Sequence, residues 1–213
     1  MKNYILGITL LSCSLSVLAE PPSSEALIQH LSSCDATFFR AMKQESSVLE
    51  NRGTLVQKGE IAYWKVPDRK VDENSVLMFS TPIDGKVQLL GYFDDIVDLE
   101  SMGLYYSWGF LASGSPETIA KIIKPVVVDG NRLRRDGEIF VRSEIRNVAV
   151  SNGEWIKNDG LSSGTIPKNN TVERVFLLEE AGEKYPGVTR ITCSLQGSVS
   201  AQLLTSERPD IGK

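Results

Sequence analysis

The chain contains one histidine, His30, and three cysteines. A zinc site of the usual kind gathers His and Cys, and a Ser or Cys nucleophile needs a histidine within reach. His30 stands next to Leu31, at the border of an apolar helical stripe, with no second histidine to join it. Triads and zinc hydrolases therefore have little to be built from, while carboxylate chemistry stays open. Net charge is also small. The chain carries 23 Lys and Arg against 27 Asp and Glu, a net charge of −4. A surplus of that sign and size does not draw in nucleic acid or anionic lipid over long range. No nucleotide-binding loop, dinucleotide fingerprint or haem motif is present, so no cofactor and no nucleic-acid partner are expected.

Long hydrophobic runs are absent beyond the first residues. Met1-Lys2-Asn3 is followed by an apolar stretch that reaches Val17-Leu18-Ala19 and stops at Glu20-Pro21-Pro22. A basic start, an apolar middle and small residues before a polar break are the parts of a secretory signal peptide. The reading is residues 1–19 as a cleaved signal, with the cut after Ala19, and residues 20–213 as one domain. A spanning helix needs about 20 apolar residues, so an integral membrane protein is not expected. The location is then periplasmic or secreted. Lipidation at Cys13 is the less favoured alternative, because the apolar run continues well past it.

Removal of the signal leaves Cys34 and Cys193. An isolated pair in an oxidising compartment forms a disulfide, and closing a loop of about 160 residues stabilises by roughly 4–5 kcal/mol on the chain-entropy estimate. Cys34 lies on the apolar stripe Leu27, Leu31, Cys34, Phe38 and Met42, spaced for helix, with Ser32-Ser33 able to cap a second helix.

Strands are expected at Gly59–Val66, Ser75–Ser80, Lys86–Phe93 and Leu104–Leu111, with a tight hairpin at Asp84-Gly85. Ser115-Pro116-Glu117 opens a helix as N-cap, first-position proline and first-turn acid, and Pro125 closes it. Strands resume at Gly137–Arg142, with Gly153–Ile156 as a continuation, and at Val172–Glu179 and Val188–Gly197. Ile139, Val141 and Ile145 alternate with Arg142, Glu144 and Arg146, which reads as a sheet with one wet face. The tail from Ser206 reads as frayed. The expected class is α+β: an antiparallel sheet with helices on one face. Gly59-Glu60-Ile61 recurs as Gly137-Glu138-Ile139 and Gly114-Ser115 as Gly197-Ser198, so a tandem repeat of a helix-plus-four-strand unit, at about 32–113 and 114–205, is a further expectation.

Candidate chemistry is sparse. Gly160-Leu161-Ser162-Ser163-Gly164 has nucleophile-elbow spacing but lacks the flanking strand and helix. Arg132, Arg134 and Arg135 precede a strand and read best as paired surface charges. Asp94, Asp95, Asp98 and Glu100 make an acidic cluster whose spacing fits no calcium loop, and Tyr105 turns away from Tyr106 and Trp108. These five residues are the candidate partner-binding set. The expectation is an exported, non-enzymatic binding protein of the cell envelope. Its most specific form is an inhibitor or immunity-type protein that engages a toxin, effector or hydrolase. The alternatives are a carrier or chaperone for lipid or another apolar ligand, and a hydrolase using the Asp94–Glu100 carboxylates.

Overall fold

The structure, a computed structural model, describes residues 23–150, 153–159 and 167–212, with the backbone alone at Ser101. The signal with its cut after Ala19, Cys13 and the Gly160–Gly164 segment lie outside the described residues. Helices α1 (Ser24–Leu31) and α2 (Ala36–Gln44) and the short α3 (Ser46–Leu49) lead into strands β1 (Leu55–Lys58), β2 (Ile61–Trp64), β3 (Val76–Ile83), β4 (Leu89–Asp98) and β5 (Leu104–Ser113). Helix α4 (Pro116–Ile123) opens a second run. It continues through β6 (Arg134–Asp136), β7 (Ile139–Asn147), β8 (Ile156–Lys157), β9 (Thr171–Glu180) and β10 (Val188–Gly197), and ends at α5 (Ala201–Glu207).

The helices start where side chains can take up free backbone N–H groups. Ser23 accepts from the Ala26 amide at 3.3 Å, Asp35 from the Thr37 amide at 2.8 Å and Ser115 from the Thr118 amide at 3.3 Å. Between α1 and α2, Cys34 adopts a left-handed φ of 53°. That conformation turns the chain sharply enough to keep Leu31 and Phe38 facing the same interior.

Eight strands of the described residues form one antiparallel sheet, ordered β3-β4-β5-β10-β9-β7-β6 with β8 beside β7; β1 and β2 pair separately. The fold is therefore α+β with an antiparallel sheet, and α1, α2 and α4 supply apolar faces to its core. β5 and β10, the last strands of the two runs, meet at mid-sheet, with Cys193 opposite Trp108. The two runs share an order of elements without establishing a repeat: β1–β2 stand apart, whereas β6 extends the main sheet.

Period-two alternation sends Tyr92 on β4, Trp108 and Phe110 on β5 and Phe176 on β9 toward the helices. Phe38 packs edge-on against Phe110 at 5.8 Å, and Phe39 lies 6.4 Å from Trp108. Cys34 and Cys193, both fully buried, form the disulfide and tie the α1–α2 turn to mid-sheet.

Three sequence expectations change. The β3–β4 hairpin exists, but its loop is wider than a two-residue turn. Gly85 is needed there for closeness: a Cβ would fall 2.2 Å from Ser24 Oγ, where the loop meets the start of α1. Arg142 faces the helices instead of water. It lies over the Phe176 ring, donates to the carbonyls of Ser32 and Val128, and burial pulls its pKa down to about 10. The tail is not frayed. Residues 201–207 form α5, and Arg208 and Asp210 beyond it are buried.

Candidate functional site

Adjacent residues on a strand point to opposite faces, and Asp94 and Asp95 show it sharply. Asp94 faces the helix side, fully buried, and accepts from Arg208 at 2.9 Å and from Arg69 Nε at 2.6 Å. Asp210 closes the network, accepting from Arg208 at 2.9 and 2.8 Å and from Arg69 at 2.8 Å. Burial works against the charge on Arg208, but Asp210 and Asp94 outweigh it and hold its pKa above the ordinary arginine value. The Arg208 guanidinium also sits 4.4 Å from the Trp108 ring centre, a favourable cation–π distance. Two cations and two carboxylates thus balance one another.

Asp95 points the other way. It pairs with Arg190 of β10 and accepts from Ser107 of β5 at 3.3 Å. The Arg190 guanidinium lies 3.9 Å over the Phe93 ring. This outer face carries a row of buried polar residues, among them Ser107, Thr192, Ser194, Ser143 and Glu173. Glu173 is satisfied by neutral donors, accepting from Ser143 at 2.8 Å, Asn158 at 3.0 Å and Gln196 at 2.7 Å.

At the β4 end of this face lies a cleft of about 450 Å³ walled by Asp95, Tyr105, Ser107, Glu179, Arg190 and Thr192. Lys70, Asp72, Val97 and Asp98 also line it. Burial raises the Glu179 pKa; the Arg190 charge opposes this, and Asp95 adds to it. Burial likewise raises Tyr105, against a hydrogen bond with Ser194. Asp95 Oδ1 and Thr192 Oγ1 are buried and have no hydrogen-bond partner.

Of the five candidate partner-binding residues, the cleft brings together Asp95, Asp98 and Tyr105. Asp94 is neutralised on the opposite face, so it cannot belong to an exposed acidic patch. Glu100 is exposed in the β4–β5 turn, where its amide donates to Asp98 Oδ1 at 2.8 Å. Arg132 is held by Asp159 at 2.6 Å and by the Ser143 carbonyl at 2.8 Å. Arg190 and Glu179 escape a sequence reading centred on acidic runs. Their signal was a charge inside each of two strand runs, Thr189-Arg190-Ile191 and Leu178-Glu179.

Among the described residues no three His, Cys, Asp or Glu side chains are placed to hold a metal ion, and no helix is long and apolar enough to cross a membrane. No protein-family model, no curated protein and no solved structure significantly matches this chain.

Proposed function

We propose that this chain is an exported protein of the cell envelope that binds another protein, in the manner of an inhibitor or immunity protein, through the β4–β5 turn and the cleft beside it. The observation that carries this reading is the surface of that turn. Val97, Met102 and Leu104 are 46%, 43% and 40% exposed, beside exposed Asp98 and Glu100. Val97 lies on the cleft face of the sheet and Leu104 on the helix face, with Met102 in the turn between them; apolar side chains exposed beside a polar rim are the usual make-up of a docking patch.

The turn is also held rigid. Leu99 N–H bonds the Gly103 carbonyl at 2.9 Å, and Gly103 N–H bonds that of Glu100 at 3.1 Å. Glu100 and Gly103 take φ of 56° and 84°, which Gly103 allows at no steric cost. A loop fixed before contact loses less entropy on binding. Export is supported by the three-part N-terminal signal pattern and by a disulfide, which persists in oxidising compartments.

A carrier for an apolar ligand would need room between helices and sheet, where Phe38, Phe39, Trp108 and Phe110 pack on one another. The hydrolase alternative loses Asp94, which is turned from Asp95 and Asp98 and neutralised by Arg69 and Arg208.

Site-specific photocrosslinking in the host envelope tests the reading. A crosslinker at Met102 or Leu104 captures one defined protein, and one at Ile156, 60% exposed on β8, does not. Leu104→Asp abolishes capture from position 102 with no change in melting temperature. Equal capture from all three positions, or capture that survives Leu104→Asp, overturns the proposal.

A further inference from the structure

The inner wall of the cleft beside the turn is short of one positive charge. Two carboxylates, Asp95 and Glu179, turn into it, and Arg190 is the cation between them. Arg69 also lines the cleft, but its guanidinium is taken by Asp94 and Asp210. At the outside, Asp72 and Asp98 outnumber Lys70. An acidic surplus alone would be an ordinary solvated face. Here two further observations point to a ligand. Asp95 is 8% exposed and Thr192 1% exposed, and three buried atoms of the cleft have no hydrogen-bond partner: the acceptor Asp95 Oδ1, the hydroxyl Thr192 Oγ1 and the donor Arg190 Nε. A buried acceptor without a donor carries an unrelieved desolvation cost, and a bound donor would remove it.

We propose that this cleft receives a basic side chain, lysine or arginine, presented by the protein partner. Its ammonium or guanidinium supplies the missing charge between Asp95 and Glu179 and donates to Asp95 Oδ1. Thr192 Oγ1 accepts a second of its N–H groups. The stem of such a side chain is apolar, and Val97, which lines the cleft and is 46% exposed, lies on the way in from the turn. A protein partner is favoured over a free amine by this continuity: the cleft shares Val97 and Asp98 with the patch that the turn presents. The inference rests on the protein-binding reading for the source of the side chain. Its chemistry is tested without the partner.

The experiment is a titration of the full-length mature protein followed by amide NMR. The probes are N-acetyl-arginine amide and N-acetyl-lysine amide, with the neutral citrulline and acetyl-lysine analogues as controls. The expected result is saturable shifts at Ser107, Thr192 and Arg190 with a Kd in the millimolar range, about −4 kcal/mol, and at least tenfold weaker binding of the neutral analogues. Glu179→Gln, a half-buried position that tolerates the swap without disturbing the fold, weakens the basic probes by about tenfold, and Asp95→Asn by more. Shifts that fail to saturate, shifts of equal size with citrulline, or a Glu179→Gln variant that binds as wild type overturn the proposal. The titration does not involve position 104. A cleft that fails while Leu104→Asp still abolishes capture leaves the docking surface standing, and the converse result leaves the cleft standing.

Discussion

Glu179 shows how a single residue trades stability for a site. Its carboxyl is pushed above the ordinary 4.5 by burial, so the folded state holds the proton more tightly than the unfolded chain does. Between the unfolded and folded pKa values the native state binds more protons, so stability falls as pH rises through that window. The penalty is absent below the unfolded pKa and complete once the pH has passed above the folded one. Glu179→Gln should therefore melt higher than wild type at pH 7 and together with it at pH 4. A gain of equal size at both pH values would show that burial of charge is not its source. Residues that bind often carry such a cost.

Arg142 makes a related point about what a linear pattern conveys. Its alternation with Ile139 and Val141 was plain in the sequence, but the direction of the alternation was not. Phe176 beneath it and the carbonyls of Ser32 and Val128 around it come from distant parts of the chain. A strand with charges on one side and β-branched residues on the other has two plausible orientations, and neighbours far off in sequence choose between them.

The element with the most unexpected weight is the C-terminal tail. α5 is short, and Arg208 just past it is the fully buried cation that neutralises Asp94 and Asp210. Removing one partner from such a network leaves buried charge without compensation, which costs about 3–5 kcal/mol. Arg208→Ala should lose that amount in urea denaturation and should expose the tail to carboxypeptidase digestion. A loss below 1 kcal/mol would mean that the network contributes little.

Helix α4 was legible from its local cap, and α1 and α2 from apolar spacing alone, since Asp35 and not Ser32-Ser33 caps α2. Ser115-Pro116-Glu117 announces its helix within three residues. α5 was missed because Leu203 is its one buried apolar residue, and its ties are ionic: Glu207 to Arg174 of β9 and, just past its end, Arg208 to Asp94 of β4. The candidate site was half legible for the same reason. Asp95, Asp98 and Tyr105 stood out as a cluster in one stretch of chain, whereas Arg190 and Glu179 join them through strand pairing alone.

At the scale of the whole molecule, the disulfide was the clearest inference from sequence, since two cysteines lie beyond the expected signal and have one way to pair. It spans 159 residues, and a loop of that length stabilises by about 4–5 kcal/mol on the chain-entropy estimate. The double variant Cys34→Ala, Cys193→Ala should lose stability of that order in urea, with the same near-ultraviolet dichroism at zero denaturant. Because both sulfurs are buried, reductant should act on the native protein at the rate of unfolding. Reduction faster than unfolding would contradict that placement.

The seam at mid-sheet has a consequence in time. β5 finds its partner in β10, the last strand made, and the disulfide and the Arg208 network also join early segments to late ones. A chain delivered from its N-terminus presents Cys34, Asp94 and the open edge of β5 long before their counterparts arrive. Such distant pairings fold slowly. For most of its synthesis the first half of this protein is a waiting half, and the segment from β10 to Asp210 is the one that closes it.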